Sequence, residues 1–242
     1  MIKQNMIKEN LSDQFKDKII IVTGSTQGSG AETAKLLASR GAKGITICGR
    51  NEKNGKKVKS AIESLGTECI YVKADLENLK DCKKIISQTD KKFGTVNTLI
   101  NSAAYTGRGT ILSTSQKEYE KMFNVNTRAP FFLMQDVIKI MIRDKVKGTI
   151  AHVLSVAAYS GMPFLAAYSP SKAALGIMIK NVANAVSGHQ IRVNGINLGW
   201  TDTPAEHDVQ KKFHKGKKDW LIKAEKKVPF KRLAKPLDVA RM

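Results

Sequence analysis

Cysteine is scarce in this chain: Cys48, Cys69 and Cys82 are the only three in 242 residues, an odd number without a C-x-x-C pair. That excludes a disulfide framework and points to a reducing compartment. No apolar run approaches the ~20 residues needed to cross a bilayer. The polar, charged stretch 1–17 lacks the apolar core of a signal peptide, so a cytoplasmic location is expected. The four histidines, His152, His189, His207 and His214, show no metal-ligand spacing, and no metal site is expected. Acidic residues are also few, 21 against 41 lysines and arginines, for a net charge of +20. Such a charge suits nucleic acid or an anionic membrane surface. The lysines, however, run along most of the chain. Their densest stretch, 211–235, carries no helix-turn-helix, zinc-finger or RNP pattern. A solvated lysine-rich surface is therefore expected, with neither nucleic acid nor membrane as partner.

What is present is an ordinary globular composition, 42% hydrophobic and 6% aromatic. At this length folding removes roughly 70–75% of the unfolded surface from water, so no covalent staple is needed. Short β-rich runs alternate with longer segments of helical period. Strands are predicted over 18–23, 45–48, 69–72, 96–100, 149–154 and 191–196. Helices are predicted over 29–39, 53–65, 80–93, 116–144 and 167–186. With right-handed crossovers, this alternation predicts a single-domain α/β fold spanning 1–242, a doubly wound parallel sheet of strand order 3-2-1-4-5-6. A polar N-terminal extension is read over 1–16, and an irregular region over 200–236 is read as a substrate loop or lid.

After the first strand comes Thr23-Gly24-Ser25-Thr26-Gln27-Gly28-Ser29-Gly30. Glycines at 24, 28 and 30 let the backbone turn sharply and approach a pyrophosphate, and the helix that follows offers its free N–H groups. The position of this turn between a buried strand and a helix makes it a dinucleotide-binding candidate of Rossmann type. The second strand ends Cys48-Gly49-Arg50-Asn51, with no acid for a ribose 2′-hydroxyl. Arg50 suits a 2′-phosphate instead, which favours NADP(H) over NAD(H).

Tyr168 and Lys172 share one face of a predicted helix, and Ser155 ends the fifth strand. A phenol with a pKa near ~10 is a poor acid–base group at neutral pH, and lowering it by ~3 units requires ~4 kcal/mol of differential interaction. Closely held charges shielded from water can supply that. Taken one at a time, these residues are common on surface helices and strand ends. Their coincidence with a dinucleotide turn on one sheet is what points to chemistry.

Together the motifs resemble the short-chain dehydrogenase/reductase family, from about residue 16 to the end of the chain. The matching residues are Thr23-Gly24 with Gly28 and Gly30, Asp75-Leu76, Asn101-Ser102-Ala103-Ala104, Asn124-Val125-Asn126, Ser155, Tyr168, Lys172, and the loop Asn197 to Thr203. The resemblance implies a catalytic tetrad of Asn126, Ser155, Tyr168 and Lys172. Asn126 would hold a water in the proton relay, Ser155 would anchor the oxygen, and Tyr168 would be the acid–base. Lys172 would bind the ribose and perturb the tyrosine. Cofactor contacts are implied for Gly24, Ser25, Gly28, Ser29, Gly30, Arg50, Asp75, Leu76, Asn101, Ala103, Tyr168, Lys172 and Thr203. Hydride transfer to a carbonyl or from a secondary alcohol follows, in a homo-oligomer (dimer or tetramer).

Three departures stand out. Asn-Ser-Ala-Ala replaces the family's Asn-Asn-Ala-Gly, Leu198 replaces a proline before Gly199, and the chain ends where the family adds a seventh strand. The last leaves the sixth strand with an open edge and is read as a C-terminal truncation. Tyr159, Met162 and Phe164 suggest a largely apolar substrate. Two other readings stand beside the ketone reductase. One is a 3-oxoacyl-carrier-protein reductase gripping its carrier through residues such as Arg128. The other is a catalytically silent dinucleotide- or nucleic-acid-binding relative.

Overall fold

The computed structural model describes residues 11–214, 216 and 219–242. Residues 1–10 of the N-terminal extension, and Lys215, Lys217 and Lys218 of the lysine-dense stretch, lie outside the described residues. Six parallel strands form one sheet: β1 (Ile19–Thr23), β2 (Gly44–Gly49), β3 (Glu68–Lys73), β4 (Thr98–Asn101), β5 (Thr149–Ser155) and β6 (Arg192–Leu198). Their order is β3-β2-β1-β4-β5-β6, the doubly wound order expected from the sequence. The chain order reverses between β1 and β4, and a ligand crevice forms outside the carboxyl ends of strands at such a point.

Helices α1 (Gly28–Ser39), α2 (Glu52–Glu63), α3 (Leu79–Phe93), α4 (Gln116–Phe123), α5 (Ala129–Arg143) and α6 (Tyr168–Ala185) cover the two faces. Alternating residues of one strand feed opposite cores. Ile20 and Val22 pack with Ala34, Ile45 and Ile62, whereas Ile21 packs with Leu99, Leu133, Val137 and Ile150. Each such isoleucine, wholly buried, stabilises the fold by roughly 1.5–3 kcal/mol. The three cysteines are free and buried.

Three expectations are corrected. The helix predicted over 116–144 is interrupted by a π turn at Asn124–Arg128, after which α5 starts with Pro130 in its first turn. Proline there has no N–H to give to the preceding turn, so the ladder is re-phased. The region 200–236 is not irregular. It holds α7 (Pro204–Phe213) and α8 (Trp220–Lys227), and Asp202 N donates to Ala234 O at 2.8 Å to fasten its two ends together. α9 (Pro236–Arg241) then packs on α1. Finally, the extension read over 1–16 joins the fold before it ends, because Phe15 is partly buried against the β1–α1 core.

Among the described strands, β6 pairs with β5 alone and forms the sheet edge.

The α1 helix sits close under the glycine turn. A Cβ at Gly30 would lie 2.5 Å from Gly24 O and 3.0 Å from Gly24 C, both backbone atoms. Gly30→Ala is therefore expected to destabilise by about 1–3 kcal/mol, the overpacking penalty outweighing the helix-propensity gain of about 1 kcal/mol. Thermal unfolding reads this as a fall in Tm of roughly 2–4 °C per kcal/mol. A variant melting with the parent would refute the close-packing argument.

Candidate active site

A cleft of about 1000 Å³ opens at the carboxyl ends of β1, β2, β4 and β5. That is the upper end of the range for ligand sites, roughly 300–1,000 Å³. Its floor is the turn between β1 and α1. Gly24 and Gly28 have φ of +64° and +56°, a region that L side chains rarely adopt. A Cβ on Gly24 would fall 2.7 Å from Ala103 Cα, so the turn is pressed against the strand-end loop as tightly as backbone allows. The residue preceding α1, Gln27, makes no side-chain capping bond. The first-turn N–H groups of Gly28, Ser29 and Gly30 thus border the cleft with a positive dipole end, a ready anion site. A cradle with no room for a Cβ and an uncapped helix end fits a dinucleotide pyrophosphate.

Arg50 borders the cleft after β2, with Asp75 and Leu76 after β3. The Arg50 guanidinium stands 4.0 Å from Asp75 and is mostly exposed, so it remains free to meet an anion. Ala103 and Ala104 also line the cleft. Ala104 is absent from the positive-φ residues, so the family's glycine at this point is not demanded by the backbone here.

Two residues expected at the cofactor lie behind it instead. Ser25 is wholly buried; its Oγ donates to Val22 O at 2.6 Å and accepts from Cys48 N at 3.0 Å. It locks the turn onto β2. Asn101 is buried at the end of β4, where its amide joins Thr23 Oγ1 and His152 Nδ1, each at 3.3 Å. Burial, and next the charge of Lys172, push the His152 pKa down to about 3, so the imidazole is neutral. It is held between Asn101 and Met134 and does not border the cleft.

Ser155 and Tyr168 face the same cleft from the end of β5 and the start of α6. Burial raises the phenol pKa, while the neighbouring Ser155 hydroxyl and the Arg108 charge pull it down and the Glu206 charge pushes it up. Ser155 Oγ also accepts from Ala157 N at 3.1 Å, which fixes its rotamer. Lys172 is 1% exposed and donates through Nζ to Val153 O at 2.8 Å. Burial alone lowers its pKa to about 8. Arg108 is a cation whose charge pulls the Tyr168 pKa down, and Lys172 ties α6 to β5 two residues before Ser155.

Asn126 sits in the π turn, wholly buried. Its Oδ1 accepts from Tyr105 N at 2.8 Å, and Nδ2 donates to Tyr105 O at 2.9 Å and to Ser171 Oγ at 3.1 Å. The side chain is fully engaged in joining the β4–α4 loop to α6 beside Lys172, and it does not border the cleft. Thr203 does border it, and its hydroxyl caps α7 by accepting from Glu206 N at 3.2 Å.

The outer half of the cleft is built from the β4–α4 loop, the segment after β5 and α7. Of the three side chains expected here, Met162 and Phe164 line it and Tyr159, 75% exposed, does not; His214 lines it too, with Arg108 and Glu206, which the sequence did not single out. Glu206 was nonetheless legible, since Thr203-Pro204-Ala205-Glu206 is a helix-start signature that places the acid in the first turn of α7. Arg128, the candidate carrier-gripping cation, donates through Nη2 to Glu77 O at 2.7 Å and is engaged by its own chain. No cluster of metal-ligating side chains exists among the described residues.

A family model for short chain dehydrogenases matches residues 18–213. An uncharacterized oxidoreductase of Thermotoga maritima is 31% identical over 226 residues, covering 93% of this chain and 88% of the relative. The NADP-dependent (R)-specific alcohol dehydrogenase of Lentilactobacillus kefiri is 30% identical over 233 residues, 95% of this chain and 89% of that enzyme. Among solved structures, an actinorhodin polyketide ketoreductase variant with NADPH superposes with a TM-score of 0.87 at 23% identity, over 93% of this chain and 88% of the ketoreductase. Levodione reductase gives the same TM-score and identity over 94% and 89%. The protein belongs to the short-chain dehydrogenase family and is an oxidoreductase of that family.

Proposed function

We propose that this chain, acting as one dinucleotide-binding unit, reduces a carbonyl to a secondary alcohol, or the reverse, with NADP(H). The observation that carries the reading is that the Tyr168 phenol and the Ser155 hydroxyl, close enough for one to shift the other's pKa, face the cleft that the uncapped N-terminus of α1 also borders. When bound, the nicotinamide supplies the hydride. Ser155 and Tyr168 meet the substrate oxygen with two hydrogen-bond donors, which orients the carbonyl and stabilises charge developing on it. Burial keeps the Tyr168 phenol protonated at neutral pH, so it can give its proton to that oxygen as reduction proceeds. The glycine turn and the α1 N-terminus would hold the pyrophosphate, and Asp75-Leu76 the adenine side.

Three features favour NADP(H). The end of β2 lacks an acid, Arg50 is free at the rim, and the Lentilactobacillus kefiri relative is NADP-dependent. Titration with NADPH and NADH, followed by a carbonyl panel with the tighter cofactor, tests the reading. Wild type is expected to favour NADPH, and Arg50→Glu to lose about 10- to 100-fold of that preference, the effect of one charge-assisted hydrogen bond. Equal or tighter binding of NADH by wild type would overturn the assignment of Arg50. Absence of turnover across the panel would overturn the activity.

A further inference from the structure

The rim of the cleft carries two aliphatic side chains that the fold holds out in water. Ile111 and Leu112 are 87% and 95% exposed, although both are large and apolar. They stand side by side between Thr110 and Ser113, two residues that line the cleft. Hydrogen bonds across the base of their turn impose this exposure. Ser113 N and Thr114 N donate to Thr110 O at 3.2 and 3.0 Å, and Thr114 Oγ1 donates to the same oxygen at 2.7 Å. Thr110 N donates to Ser113 Oγ at 2.9 Å. The turn is in turn fastened to the segment after β5, where Gly109 N donates to Phe164 O at 3.0 Å and Ala166 N to Gly109 O at 3.2 Å.

The apolar surface continues from this tip along the rim. Met162 and Phe164 are exposed there as well. Phe164 meets His214 edge to face, with ring centroids 5.6 Å apart, and His214 follows Phe213, another exposed ring of the lining. Cations accompany these rings. The Lys212 ammonium lies 4.9 Å from the Phe213 centroid, Arg50 is mostly exposed at the rim, and Lys121 adds to the lining. Two acids of the same lining are engaged by their own chain. Asp75 accepts from Glu77 N at 3.1 Å beside Arg50, and Glu206 Oε1 accepts from Trp200 Nε1 and Gln210 Nε2 at 2.8 and 2.7 Å. The rim therefore presents apolar side chains and cations together.

Clustered exposed apolar side chains rimmed by charge mark a protein or membrane contact. A two-fold contact between copies of this chain would bring the same rim cations of both together, on molecules that each carry a net charge of +20. That charge favours an anionic surface instead. A protruding aliphatic pair needs a matching pocket on a folded partner, whereas a fluid bilayer accepts it anywhere. We propose that the cleft rim docks on an anionic lipid bilayer, with Ile111 and Leu112 inserted among the headgroups and Arg50 and Lys212 facing the lipid phosphates. The contact is peripheral, because among the described residues no helix is long and apolar enough to cross a membrane. The inference amends the expectation of no membrane partner. It is independent of the oxidoreductase reading.

Co-sedimentation with vesicles of equimolar phosphatidylcholine and phosphatidylglycerol, compared with vesicles of phosphatidylcholine alone, tests the proposal. Wild type is expected to partition at least about tenfold more strongly onto the anionic vesicles and to lose most of that excess between about 0.1 M and about 0.5 M salt. I111S/L112S removes the apolar tip without changing charge. It is expected to lower partitioning by at least about tenfold and to melt with wild type, since both side chains are already solvated. K212Q is expected to lower binding to the anionic vesicles about fivefold. Absence of wild-type binding, equal partitioning onto both kinds of vesicle, or binding that survives in I111S/L112S would overturn the proposal, the last by leaving bulk charge as its cause. Wild-type oligomers that dissociate in I111S/L112S, seen by light scattering without vesicle binding, would assign the tip to a second copy and overturn it too. So would salt-sensitive capture by polyglutamate without vesicle binding, which would give the cations an acidic protein partner.

Discussion

Tyr168→Phe is expected to lower kcat by about 10²–10⁴-fold while changing cofactor affinity by about threefold or less. The substitution deletes one oxygen and keeps the ring that starts α6, so packing is preserved. What disappears is the proton donor and its interaction with the Ser155 hydroxyl. Ser155 retains its bond from Ala157 N, so the oxygen anchor stays in place and isolates the loss to proton transfer. Steady-state kinetics with the best carbonyl substrate gives kcat, and fluorescence titration gives the cofactor Kd. Turnover within about tenfold of wild type would mean that the phenol does not carry the proton, since general acid catalysis alone is worth more than that. A joint collapse of affinity and rate would assign Tyr168 to binding instead.

The parts of this site that the sequence made legible are those tied to periodic structure. The glycine turn is recognisable because a buried β strand and a helix flank it, and Tyr168 and Lys172 because a helix puts residues four apart on one face. The strand order follows from alternation and crossover handedness. The groups that sequence reading missed or misplaced are fixed by tertiary contacts with no local signature. Arg108 lies in a long loop whose path is set by Asn126 gripping the backbone of Tyr105, 21 residues away in sequence. Ser25 and Asn101 carry polar side chains at the right places in the motif, yet both turn inward because Val22 O, Cys48 N, Thr23 and His152 need partners. The π turn at Asn124–Arg128 is invisible to periodicity, since a helical pattern continues on both sides of it. α7 was hidden for a different reason. Thr203 was read for its side chain's reach toward a ligand, and the same hydroxyl is the cap that starts the helix.

Lys172 provides the second large expectation, in which activity and stability move in opposite directions with pH. Burial holds its ammonium pKa at about 8, down from 10.5. Below pH 8 the group is charged in the folded and the unfolded chain alike, and the cost of burying that charge is fully present. Between 8 and 10.5 the unfolded chain binds the proton that the folded chain has lost, so native stability rises with pH across that window. Catalysis follows the opposite course. The ammonium donates a charge-assisted hydrogen bond to Val153 O, stronger than the neutral amine would make, and so holds α6, and with it Tyr168, against the end of β5. The reduction rate is therefore expected to be level below about 8 and to decline tenfold per pH unit above it, once a single required proton is lost. Lys172→Met should lower kcat by about 10²-fold or more and erase that alkaline limb. Its melting temperature relative to wild type should be highest at neutral pH and should fall steadily as pH approaches 10.5. A wild-type rate that stays level through pH 9.5, or an inflection near 8 that persists in Lys172→Met, would assign the titration to another group. A relative melting temperature independent of pH would show that the ammonium is not desolvated as its burial requires.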